Sequence, residues 1–139
     1  MEKIGIACDH AGYEMKEFLV GYLSSKGFDV VDFGTHSEES IDYPDFGHAL
    51  ASAIEAGEME RGVGLCGSGE GMAMTLNKHQ GIRAGLCWND TVAELIRQHN
   101  NANVVVLPAQ QRQRSGSART FHLQRRGYGH RREVPRNPL

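Results

Sequence analysis

A chain of 139 residues, 40% hydrophobic, 23% charged and carrying a net charge of −2, has the size and apolar content of one ordinary globular domain. It holds no run of 18 apolar residues, which excludes a transmembrane helix. The start, Met1-Glu2-Lys3-Ile4-Gly5, enters a strand-like pattern without the basic and apolar regions of a signal peptide. Three cysteines without a Cys-x-x-Cys pair make no disulfide framework, so a reducing cytoplasm is the expected setting. The small net charge hides a split: residues 1–109 carry 16 acidic and 7 basic side chains, whereas residues 110–139 carry Glu133 and eight arginines, charges of −9 and +7.

Residues 1–109 read as alternating strands and helices. Lys3 to Cys8 is a short apolar strand, and Met15, Phe18, Leu19, Tyr22 and Leu23 then recur at helical spacing. Gly27 stands where a helix stops, and Asp29 to Phe33 is a second strand ended by Gly34. After a polar loop over 34–43, Pro44 opens a helix whose inner face is Phe46, Leu50, Ala53 and Ile54. Gly62 to Cys66 is a third strand, leading through a glycine-rich loop into a helix that runs to about Lys78. Ile82 to Cys87 is a fourth strand. Asn89 or Asp90 caps a helix with Val92, Ala93, Ile96 and His99 on one side, and Val104 to Leu107 is a fifth strand. The pattern predicts an α/β protein whose five-stranded parallel sheet is covered by helices on both faces. In such a sheet ligands bind past the carboxyl ends of the strands, here Cys8-Asp9-His10, Gly34-Thr35-His36, Cys66-Gly67-Ser68 and Cys87-Trp88-Asn89.

Cys66 is the first candidate for chemistry. Backbone N–H groups at a glycine-rich turn and helix start favour negative charge, which suits a thiolate and an anionic intermediate. The plain alternative, a buried inert strand cysteine, suits Cys8 and Cys87. A Walker loop is excluded because no Gly-Lys-Ser/Thr follows the glycines. A dinucleotide fingerprint is missing after the first strand, at Asp9-His10-Ala11-Gly12. A cysteine-phosphatase loop would need arginine where Met72 stands, and a receiver domain would need aspartate in place of Cys66. Asp9 beside His10 can handle hydroxyl protons, or Asp9 can simply cap the next helix. His99, near a helix carboxyl end, is either a general acid or a complement to the helix dipole. Tyr43 either lines a pocket or belongs to a helix entry. His36, His48, His79 and His122 are expected at the surface, and no pair has metal spacing, so no metal is expected.

Taken together, Cys8-Asp9-His10-Ala11-Gly12, Gly34-Thr35, Asp42-Tyr43-Pro44, Cys66 through Met72, Asn77-Lys78, Gly81-Ile82-Arg83-Ala84 and Arg97 through Asn103 resemble the type B ribose-5-phosphate isomerases, a family grouped with the galactose-6-phosphate isomerase subunits. The resemblance runs over roughly residues 3–109. It implies a cofactor-independent and metal-free aldose–ketose isomerase of the pentose phosphate pathway, interconverting ribose 5-phosphate and ribulose 5-phosphate. It also implies a Rossmann-like αβα fold of three layers around the five-stranded parallel sheet, and a homodimer, in some members a tetramer, with active sites at the subunit interface. By the same resemblance Cys66 is the base that moves a proton between C2 and C1. His99 with Asp9 opens the furanose ring, and Gly67, Ser68, Gly69, Glu70 and Gly71 form the pocket for the enediolate oxygens, with Ser68 lending a hydroxyl. His10, Tyr43 and Asn100 are substrate contacts. Members that use a loop glutamate instead of cysteine carry it where Met72 stands here, so Glu70 is not that base.

The departure lies at the carboxyl end, so residues 1–109 are read as the isomerase domain and 110–139 as an atypical arginine-rich segment. Gln110 occupies the place of the family's first phosphate-gripping arginine, the apolar last helix is missing, and the echo Gly127 through Val134 has Gly129 and Glu133 where arginines belong. Arg112, Arg114, Arg131 and Arg132 are the substitutes available. The abrupt change of composition is read as a shifted reading frame over part of this segment, which resequencing the coding DNA tests. Other readings are a galactose or allose 6-phosphate isomerase and a non-catalytic sugar-phosphate-binding subunit. Nucleic acid is not an expected partner, because the basic segment lacks interleaved aromatic residues, and neither is a membrane, because no apolar run is long enough to cross one.

Overall fold

The computed structural model describes residues 1–36 and 44–110. They form β1 (Lys3–Cys8), a short 3-10 helix (His10–Gly12), α1 (Tyr13–Ser25), β2 (Asp29–Asp32), α2 (Pro44–Glu55), β3 (Arg61–Cys66), α3 (Glu70–Asn77), β4 (Ala84–Leu86), α4 (Asp90–Asn100) and β5 (Val104–Pro108). Among the described residues the five strands pair in parallel, in the order β2-β1-β3-β5-β4. None of their helices is long and apolar enough to cross a membrane.

Local chemistry sets the ends of the helices. Gly27 takes φ +91°, and its N–H and that of Phe28 donate back to Ser24 and Leu23, closing α1. The Asn89 side chain accepts from Val92 N at 2.9 Å and starts α4, which ends at Asn101 with φ 50°.

The strand alternation divides the core in two. Ile4, Ile6, Cys8, Val63, Leu65, Val105 and Leu107 face α1 and α4, while Ala7, Cys66, Val104 and Val106 face α2 and α3. Glycines on the second face let α2 and α3 approach the sheet. A Cβ at Gly5 would stand 2.5 Å from Leu50 Cδ1, and one at Gly64 would stand 2.8 Å from Met72 Cγ. The row Gly62-Val63-Gly64 is therefore apolar bulk on one face and backbone on the other.

Several expectations are corrected. Phe18 is 58% exposed and stacks on Tyr22 at 6.1 Å, so of the helical set only Met15, Leu19, Tyr22 and Leu23 pack against the core, joined by Val20. His99 is exposed rather than aligned with the buried Ala93. The fourth strand is shorter than Ile82 to Cys87, and Phe33 lies past the end of β2. His48 and His79 are not plain surface residues: His48 Nδ1 meets His79 Nε2 at 2.7 Å, and His79 Nδ1 meets Glu55 Oε1 at 2.7 Å. Lys16, near the start of α1, has no exposed area.

Three buried groups hold their protons more tightly than usual. Burial pushes the Cys8 thiol up from 9.0 to about 11 and the Cys87 thiol up to about 12. Burial works against the charge on Lys16, but hydrogen bonds to Asp32 and Glu17 outweigh it and hold the ammonium above 10.5. The folded chain thus keeps protons that the unfolded chain surrenders first, and stability falls as pH rises. The melting temperature should drop steadily from about pH 9 to pH 11, and less so in Cys87→Ala; a flat or rising profile would refute this.

Candidate active site

The chain leaves β1 toward one edge of the sheet, to β2, and leaves β3 toward the other, to β4. The two paths part between β1 and β3, and a crevice opens at their carboxyl ends. Cys8 pairs with Leu65, and Asp9 N donates to Leu65 O at 3.1 Å, so Asp9 stands level with Cys66 on the neighbouring strand, about 4.8 Å away between backbones. Both are nearly enclosed, Asp9 at 7% and Cys66 at 5% exposure. Asp9 Oδ1 accepts from Gly12 N at 3.1 Å and so fixes the 3-10 helix that starts with the exposed His10.

The glycine loop wraps the thiol. Gly69 N donates to Cys66 Sγ at 3.1 Å, placing a donor where a thiolate would carry its charge. Gly69 has φ +82°, a conformation that favours glycine, and a Cβ there would press on the Leu86 side chain. The exposed Ser68 accepts from Glu70 N at 3.2 Å. Glu70 and Gly71 open α3, whose first-turn N–H groups give this end a partial positive charge.

One neighbour was not legible as part of the loop. Past the end of β5, Ala109 N donates to Cys66 O at 2.8 Å and Gln110 N to Gly67 O at 3.0 Å. The Gln110 carboxamide lies over Gly67, where a Cβ would meet its Cδ at 2.9 Å. The resemblance sets Gln110 at the place of a family arginine; its seat on the loop follows from β5 lying beside β3, an adjacency that strand patterns do not reveal.

His99 and Asn100 lie elsewhere. α4 runs back along the sheet, and its end is held at the strands' amino-terminal side, where Arg83 Nε donates to Asn100 O at 2.7 Å and Gly62 N donates to Asn103 O at 3.0 Å. From Gly62 to Cys66 is about 13 Å along the strand. A cavity of about 330 Å³ lined by Asn77, Arg83, Ala84, Gly85, Ile96 and Asn100 sits at that far end. One chain therefore brings together Asp9, His10, Cys66 and Gly67 through Gly71, but not His99 and Asn100. Tyr43, Arg112, Arg114, Arg131 and Arg132 lie outside the described residues. Among the described residues no group of three or more His, Cys, Asp or Glu is placed to hold a metal ion.

Comparison with known proteins agrees with this architecture. Residues 4–125 match the family model described as Ribose/Galactose Isomerase, past the composition break at residue 110. Ribose-5-phosphate isomerase B of Escherichia coli (strain K12) is 42% identical over 105 residues, 76% of this chain and 70% of that protein. The crystal structure of a ribose 5-phosphate isomerase from Thermotoga maritima superposes with a TM-score of 0.85 at 43% identity, covering 94% of this chain and 91% of that one. A Mycoplasma genitalium ribose-5-phosphate isomerase B structure with bound ribulose-5-phosphate gives 0.81 at 34% identity, covering 86% and 82%.

The three thiols should differ in reactivity. Brief treatment of the native chain with iodoacetamide at pH 8 should label Cys66, with Cys8 and Cys87 left unmodified because both are fully enclosed and their thiols are pushed up by burial. Peptide mass spectrometry showing Cys8 or Cys87 labelled first would refute this.

Proposed function

We propose that this chain, which belongs to the ribose/galactose isomerase family, interconverts ribose 5-phosphate and ribulose 5-phosphate by proton transfer through an enediolate, with no cofactor. The observation that carries this reading is the thiol of Cys66, held by the Gly69 N–H at 3.1 Å in a crevice shared with Asp9. An aldose–ketose shift needs a base that reaches two adjacent carbons and donors for the oxygen charge that develops. In this mechanism the Cys66 thiolate removes the C2 proton of the opened sugar. The electron pair forms the C1–C2 double bond of the enediolate as the C1 carbonyl electrons move onto O1, the hydroxyl proton of O2 passes to O1, and the thiol returns its proton to C1 as the C2 oxygen becomes a carbonyl. The loop N–H groups from Gly67 to Gly71 and the Ser68 hydroxyl hold the two oxygens, while His10, Tyr43 and Asn100 contact the sugar.

Ring opening is assigned to Asp9 with His99. In one chain these occupy opposite ends of the sheet, which supports a homodimer in which each site takes Asp9 and Cys66 from one copy and His99 and Asn100 from the other. Exposed Met74, Trp88 and Leu95 supply apolar surface on α3, α4 and the end of β4 for such a contact. Residues 1–109 carry the proton-moving groups, and segment 110–139 is left to supply the arginines for the phosphate. The reading places the protein in the cytoplasm, in pentose phosphate metabolism.

The family also spans galactose isomerases, so a six-carbon sugar phosphate is the second substrate to assay. Ribulose 5-phosphate formation from ribose 5-phosphate should be saturable and should exceed turnover of galactose or allose 6-phosphate. Cys66→Ala should lower kcat by roughly 10²- to 10⁴-fold, the usual contribution of a positioned base. Turnover by Cys66→Ala equal to that of the unaltered chain would remove Cys66 from the mechanism, and saturable binding without turnover would make the protein a binding subunit.

A further inference from the structure

Lys16 is buried with no exposed area, one turn into α1. Its ammonium bonds Asp32 Oδ2 at 2.7 Å and Glu17 Oε1 at 2.9 Å, and lies 5.3 Å from the centre of the Tyr13 ring. The other oxygen of Asp32 accepts from Gly34 N at 2.9 Å. Gly34 has φ +108°, and a Cβ there would fall 2.7 Å from the Phe46 ring, so the bend after β2 depends on glycine. From that bend Gly34 O accepts from Cys8 N at 2.8 Å, and Thr35 N donates to Cys8 O at 3.1 Å. Both backbone polar groups of Cys8 are thus engaged by the segment that Asp32 holds, and Cys8 is the residue before Asp9.

The contacts close a circuit. Asp9 caps the 3-10 helix, that helix leads into α1, α1 carries Lys16, Lys16 holds Asp32, Asp32 holds Gly34, and Gly34 with Thr35 holds Cys8. We infer that Lys16 is a positioning residue for Asp9, acting through Asp32 and the Gly34–Thr35 bend to fix the carboxyl end of β1. An apolar side chain would fill the same space without the cost of burying a cation, but it would not orient the Asp32 carboxylate. The role of Asp9 in ring opening belongs to the proposed isomerase reading; the clamp on the end of β1 does not depend on it.

The test uses the full chain, with Lys16→Met as the near-isosteric apolar variant. Hydrogen exchange should quicken about tenfold or more at the Gly34, Cys8 and Gly12 amides, with Val105 in β5 unchanged, as expected of a local opening. Isomerase kcat should fall by about 100-fold, with KM shifted less than about threefold, the pattern of a displaced group rather than lost binding. If Lys16→Met does not fold, Asp32→Asn keeps the acceptor for Gly34 N but removes the ion pair, and should show the same local exchange pattern at lower amplitude. Exchange that rises equally at Val105, or is unchanged at Gly34 and Cys8, would overturn the inference. An unaltered chain with no isomerase activity would instead sink the proposed function, and the exchange measurement would still decide the clamp.

Discussion

The pairing of β1 with β3, Cys8 opposite Leu65, is the constraint on which the rest of the site depends. It sets Asp9 level with Cys66 and turns the divergence of two chain paths into a crevice. A slip of one residue in that register would turn either Asp9 or Cys66 toward the opposite face of the sheet. The glycines Gly5, Gly62 and Gly64 serve the same register, since they let α2 and α3 lie flat on the face from which Cys66 emerges.

Around that pairing the polar groups are distributed unevenly. Cys8 and Cys87 sit in apolar surroundings that hold their thiols protonated, whereas Cys66, on the opposite face, receives a backbone donor from a left-handed glycine. Three cysteines of one chain are thus separated by local environment rather than by residue type. On the other side of the crevice the buried ion pair of Lys16 and Asp32 secures the bend that braces the end of β1, while the Gln110 carboxamide closes over the loop from β5.

Much of this was legible in the sequence, because apolar runs separated by helical spacing are a strong signal. The five strands, the caps at Gly27 and Asn89 and the loop after Cys66 all lie where the pattern indicates. What escaped needs knowledge of which strands are neighbours. The seat of Gln110 against Gly67 depends on β5 lying between β3 and β4. The burial of Lys16 depends on β2 bringing Asp32 beside α1. His99 and Asn100 look like parts of one constellation with Cys66 in the sequence, yet a helix that runs back along its sheet carries its end to the opposite rim.

That last separation makes subunit exchange the most direct measurement. Cys66→Ala and His99→Ala variants, each inactive by itself, would be unfolded, mixed in equal amounts and refolded together. If each site draws Cys66 and His99 from different copies, half the dimers are mixed, each with one intact site, and activity should return to about one quarter of that of the unaltered protein. If the mixture stays at the level of the separate variants although mixed dimers are present, the two residues do not meet across an interface and the account fails.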